Sequence, residues 1–96
     1  PIEMSCDIYM VILGDKALSK ALIIAHNLRI DLDLSVITEV SKRSVKAQMK
    51  EANRQNAKFA IILGDNEIEN GIATIKNMIK GSQEEVKLNK IINYFN

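Results

Sequence analysis

The sequence predicts an α/β domain of three layers, α/β/α, around a mixed five-stranded sheet with one antiparallel strand. Three observations predict it. Two continuous apolar runs, Asp7–Leu13 and Lys58–Leu63, each close in Gly-Asp, as buried strands do before a turn. Segments of helical period separate the strands, and strands joined through helices lie parallel by right-handed crossovers. Lys80-Gly81-Ser82, between two late strand-like stretches, is hairpin chemistry and turns one strand antiparallel.

The elements follow in order. After the first strand, helical spacing runs from about Asp15 to Ile30, with Ala17, Leu18, Ala21, Leu22, Ala25 and Leu28 as its apolar stripe and Asp15 as N-cap. Asp31 to Val40 alternates, with Leu32, Leu34, Val36 and Thr38 on one side, and predicts a half-buried strand at a sheet edge. A second helix is expected from about Ser44 to Asn56, its core stripe formed by Val45, Met49 and Ala52. Arg43, Lys46, Lys50 and Arg54 fall on a different, exposed face. The strand at Lys58–Leu63 leads to a short helical turn over Asn66–Glu69, stopped by Asn70-Gly71. Ile72–Met78 and Glu85–Leu88 form the hairpin, and Leu88–Phe95 closes the chain as a helix.

Ninety-six residues suit one domain, 1–96, and 47% hydrophobic residues support a folded core rather than a disordered segment. Tyr9, Phe59, Tyr94 and Phe95 are the only aromatic residues, so that core is aliphatic. Cys6 is the single cysteine, which excludes an internal disulfide and points to a reducing, cytoplasmic setting. No run approaches the roughly 20 apolar residues of a membrane span. The start at Pro1 points to a piece of a longer chain. The net charge is only +1, yet Glu39–Lys58 holds six basic residues against two acidic ones, a local excess of +4. Such an excess is a polyanion footprint or an ordinary solvated helix face.

Catalytic patterns are missing. His26, the only histidine, lies at the edge of the first helix's stripe without a neighbour at ligand spacing, which favours a structural role. Cys6 has no second thiol or base beside it. There is no GxxxxGK[ST] or GxGxxG loop and no GxSxG serine. Asp65, Glu67 and Glu69 would splay on a short helical turn, so solvated carboxylates are expected there rather than a cation site. The segment predicts no catalytic residues, no metal and no cofactor: a binding module. A related echo, Ile12-Leu13-Gly14-Asp15 and Ile62-Leu63-Gly64-Asp65, reads structurally as glycine freedom followed by an aspartate cap.

Lys42-Arg43-Ser44-Val45-Lys46-Ala47-Gln48-Met49-Lys50-Glu51-Ala52-Asn53, followed by Ala57-Lys58-Phe59-Ala60-Ile61-Ile62-Leu63-Gly64-Asp65-Asn66-Glu67-Ile68, resembles the anticodon-binding domain of class II aminoacyl-tRNA synthetases. The histidine enzymes are the nearest match. Gly71, Lys76 and Glu84-Glu85-Val86 continue the likeness, which is strongest from Arg43 to Val86. The resemblance implies docking on a tRNA anticodon arm through Glu67, Lys76, Arg43 and Lys46. Glu67 matches a glutamate that accepts hydrogen bonds from a base edge, a task suited to an acceptor-only carboxylate. Its alternative is a first-turn glutamate favouring the helix dipole. Lys76 matches a basic position where the family often carries arginine, and lysine lacks the bidentate fork. Arg43 and Lys46 would meet phosphates, which fix register while base edges specify.

The resemblance further implies a C-terminal position in a histidine–tRNA ligase. That parent would use ATP and Mg2+, act as a homodimer and bind histidine tRNA, without a membrane partner. The alternatives are a non-ligase paralogue (a regulatory subunit, a kinase-linked sensor or a polymerase accessory domain) or a threonine, proline or glycine ligase.

Overall fold

The first apolar run forms β1 (Ile8–Leu13). Successive side chains of a strand point to opposite faces, so Ile8, Met10 and Ile12 enter one core while Tyr9 and Val11 enter another. Burial on both faces explains the unbroken apolar sequence. Then follow α1 (Asp15–Leu32), β2 (Val36–Thr38), α2 (Val45–Arg54), β3 (Phe59–Gly64), α3 (Asp65–Asn70), β4 (Ile72–Asn77) and β5 (Gln83–Lys87). A 3-10 turn at Leu88–Lys90 leads into α4 (Ile91–Phe95). The computed structural model describes residues 5–39 and 43–96, so Lys42 of the basic segment lies outside the described residues.

The sheet order is β2-β1-β3-β4-β5. β2, β1 and β3 are parallel, and β4 runs antiparallel to both of its neighbours, giving the mixed sheet with one reversed strand. On one face Ala17, Ala21, Ile24, Ala25 and Leu28 of α1 pack with Ile61, Leu63, Ala73 and Ile75 of the strands and Ile91 of α4. Ile68 of α3 joins that core from its rim. The small alanines let α1 approach the sheet closely. On the other face Ala52 of α2 meets Tyr9, Val11 and Ala60. The architecture is the α/β/α sandwich that the element order predicts.

Several local expectations change. The helix begins one residue earlier than a capping aspartate requires: Gly14 is the N-cap, and Asp15 is the first helical residue. Likewise Gly64, not Asp65, caps α3. Of the predicted strand over Asp31–Val40, whose Val40 lies outside the described residues, Val36–Thr38 forms β2, because α1 runs on through Leu32 and ends at Asp33 in the left-handed region, φ 55°. Short aspartate tolerates that conformation. The remaining strand does sit at the sheet edge. Leu22, assigned to the α1 stripe, is 43% exposed, and Ile24 takes its place in the core. Val45 is exposed rather than buried, and Gln48, only 2% exposed, enters the interior alongside Ala52. His26 is exposed and takes no part in the core.

Candidate nucleic-acid interface

The interface is organised by α2. Ser44 starts it, its Oγ accepting from the Ala47 N–H at 3.2 Å, so one of the orphan donors of the first turn is satisfied. Gln48 then anchors the helix to β1. Its Oε1 accepts from the Ile12 N–H at 2.9 Å, and its Nε2 donates to the carbonyls of Ile12 and Arg43, both at 2.9 Å. The Ile8 N–H faces the β2 side, donating to Ser35, and alternate residues of a strand face the same neighbour. Ile12 therefore faces that side too, but β2 pairs only with residues from Ile8 to Met10. The Gln48 amide completes the ladder where the edge strand has ended.

With α2 held this way, Lys46, Met49, Lys50 and Asn53, spaced three and four apart, share one side of the helix. That side borders a groove of about 400 Å³, whose opposite wall is Lys76, Met78 and Gly81 of the β4–β5 hairpin. Lys76 stands opposite Ala60 in register, and Ala60 belongs to the α2-side core, so the lysine shares that face of the sheet. The hairpin tip is pinned. Asn77 Oδ1 accepts from the N–H groups of Ile79 and Lys80, each at 3.0 Å, and Gly81, at φ 77°, donates its N–H to the Asn77 carbonyl at 2.8 Å.

The cations of the basic segment and Lys76 of β4 divide into two sets. Arg43 lies 3.4 Å from Glu39, Arg54 is paired with Glu51, and Lys58 lies 3.5 Å from Asp7. Hydrogen bonds from Arg54, and then from Gln55, hold the Glu51 carboxyl down at about 2. Among the described residues, by contrast, Lys46, Lys50 and Lys76 make no ion pair. Three cations without an ion pair among the described residues thus line the groove, an arrangement suited to receiving a polyanion. Of the four residues singled out from the sequence, Lys46 and Lys76 come together there. Lys50 joins them from the exposed side of α2. Arg43 is not part of the groove lining.

Glu67 lies elsewhere. It lines a separate depression of about 270 Å³ with Leu13, Gly14, Gly64, Asp65 and Asn66, at the carboxyl ends of β1 and β3. Glu67 Oε1 accepts from the Gly64 N–H at 2.9 Å, so one oxygen closes the first turn of α3. Its other oxygen has no partner among the described residues and remains an acceptor. In the same depression the two Gly-Asp turns meet. Gly14 has φ 104°, and a Cβ placed on it would come 2.5 Å from Asp65 Oδ1. Glycine at this position meets both a backbone and a packing demand.

Among the described residues no three His, Cys, Asp or Glu side chains are placed to hold a metal ion, and no helix is long and apolar enough to cross a membrane. Cys6 is buried, and burial, followed by the charge of Asp7, pushes its thiol pKa up, which disfavours the reactive thiolate. The arrangement can bind a charged strand.

Comparison with known proteins identifies the family. The family described as the anticodon binding domain matches residues 7–96. A histidine–tRNA ligase of Bacillus cytotoxicus is 44% identical over 94 residues, covering 98% of this chain and 22% of the ligase. One from Clostridium kluyveri is 49% identical over 82 residues, covering 85% of this chain and 20% of the ligase. The chain therefore spans about a fifth of the length of these relatives. Among solved structures, the apo histidyl-tRNA synthetase of S. aureus superposes with a TM-score of 0.88 at 36% identity, over 99% of this chain and 28% of that one. The RNA-binding domain of a Cryptosporidium parvum threonyl-tRNA synthetase shares the fold, with a TM-score of 0.81 at 16% identity, over 94% of this chain and 22% of that one. On sequence and fold, this chain belongs to the anticodon-binding domain family.

Proposed function

We propose that this chain recognises the anticodon arm of histidine tRNA as the C-terminal domain of a histidine–tRNA ligase. The observation that carries the reading is the groove between α2 and the β4–β5 hairpin, where Lys46, Lys50 and Lys76 stand without ion-pair partners among the described residues. Phosphates of the arm settle on these lysines and fix its register. Glu67, some way along the sheet, offers an acceptor to the donor edge of a guanine, of which a GUG anticodon has two. Arg43, just ahead of α2 and outside the groove lining, is assigned to phosphates beyond the groove. The parent reaction is the ATP-dependent attachment of histidine to its tRNA, in the cytoplasm and by a homodimer. ATP and Mg2+ belong to the catalytic part of the parent.

The test is a titration of the chain, followed by backbone amide shifts, with a stem-loop carrying GUG and with the same stem bearing a scrambled loop. The expected result is that GUG perturbs Lys46, Lys76 and Glu67, and that Glu67→Gln weakens the preference for GUG while leaving salt-sensitive binding in place. Equal shifts from both RNAs, confined to α2 and lost at modest salt, would overturn the anticodon reading in favour of a non-ligase paralogue.

A further inference from the structure

Single-stranded loop bases usually lie on aromatic rings or guanidinium planes. The groove has neither. Phe59, Tyr94 and Phe95 stack edge to face on one another, with centroids 5.0–6.5 Å apart, and Phe59 and Phe95 pack against the α1-side core. Tyr9 is buried. The apolar surface that the groove does present comes from two methionines, Met49 on α2 and Met78 just beyond β4. Both are half-buried and pack on the α2-side core, so each is anchored on its inner side and open on the other. A thioether is polarizable and makes favourable contacts with aromatic faces at about 5 Å. The unpaired lysines surround these two side chains, and Asn53 adds an amide able to donate and accept at the rim.

We propose that Met49 and Met78 form a thioether platform on which an unstacked base of a single-stranded RNA loop lies, while Lys46, Lys50 and Lys76 hold the flanking phosphates. The inference rests on the RNA-binding reading above and gives it an apolar component. Lysines alone would bind duplex and single strand alike. A platform for a base face selects a strand whose bases are free, at whatever sequence, and leaves edge recognition to groups such as Asn53 and Glu67.

The chain's methionines supply the probe. It has four, and Met10, 1% exposed within the α1-side core, serves as an internal control. The protein labelled at the methionine methyl carbons is titrated with the GUG stem-loop and with a fully paired duplex of equal charge. The expected result is an upfield ring-current shift of the Met49 and Met78 methyls, with cross-peaks to base protons, on adding the loop but not the duplex; Met10 stays put. The double variant Met49→Ala/Met78→Ala, checked for a cooperative melt, should bind the loop about tenfold more weakly with an unchanged salt slope. Lys46→Ala and Lys76→Ala should each instead reduce that slope by about 1. Loop binding that depends on the lysines while the Met49 and Met78 methyls stay unmoved would overturn the platform and leave the RNA-binding reading standing. No binding of either RNA at low salt would remove both.

Discussion

Gln48→Met tests how α2 is attached to the sheet. Methionine matches glutamine closely in length and volume but can neither accept from the Ile12 N–H nor donate to the Ile12 and Arg43 carbonyls. Both Ile12 groups are in the interior, and an apolar side chain of the same size keeps water from replacing the amide. Each buried group left unpaired costs about 1–3 kcal/mol. The Arg43 carbonyl is only partly buried and adds little. Some of the loss is offset by burying a thioether instead of an amide, so the net destabilisation is about 3 kcal/mol. For a domain of this size that lowers the melting temperature by roughly 12–24 °C. Total stability of about 5–14 kcal/mol leaves the variant folded at 25 °C. Urea unfolding followed by circular dichroism should show a lower midpoint at unchanged slope, and the Ile12 amide should lose its protection against hydrogen exchange. A loss below about 1 kcal/mol with Ile12 still protected would show that the amide does not complete the ladder.

Gly14→Ala should destabilise the domain by about 2 kcal/mol, from a side chain at positive φ and its collision with Asp65. Asp65→Ala in the same chain should restore only the collision part, as read from urea midpoints. Glu67→Ala should cost about 1 kcal/mol by freeing the Gly64 N–H, whereas Glu67→Gln, whose amide oxygen still accepts, should melt close to the parent. The Glu51 carboxyl sits near 2, below its value in the unfolded chain, so the stability from its pairing with Arg54 and Gln55 is present above about pH 4.5. It is lost as pH falls towards 2. Arg54→Met should flatten the decline of the urea midpoint between pH 4.5 and 2, and an unchanged decline would place the acid sensitivity elsewhere.

The doubly buried strands were legible because their sequences admit little else. Ile8–Leu13 and Phe59–Leu63 are too short and too uniformly apolar for an amphipathic helix, and Gly-Asp closes each. The Gly81 turn was legible for a similar local reason. β2 was overextended because period-2 alternation in Asp31–Val40 also fits the end of a helix followed by a turn, and only packing of Leu32 and Leu34 against α1-side residues decides. Gln48 was hidden by its polarity. It occupies the stripe position between Val45 and Ala52, three after one and four before the other, so the spacing marked it. What made it interior is an open backbone edge on a strand far away in sequence. At the site, lysine chemistry was legible but its grouping was not. Lys50 looked like any solvated lysine until α2 was set beside β4, and Glu67 proved to share a depression with Gly14 rather than with Lys76.

The meeting of Gly14 and Asp65 carries a lesson for anyone who would recombine this domain with a relative. The two turns belong to different strand–helix units, and along the sequence each looks like an independent module that could be exchanged by itself. In space they are lock and key: the absence of a side chain on one is the room that the carboxylate of the other occupies. A chimera that imports one turn with a bulkier residue, and keeps the other, inherits a clash that neither parent contains. Grafted as a pair, the same two turns should transfer intact. The unit of exchange here is a three-dimensional joint rather than a stretch of chain.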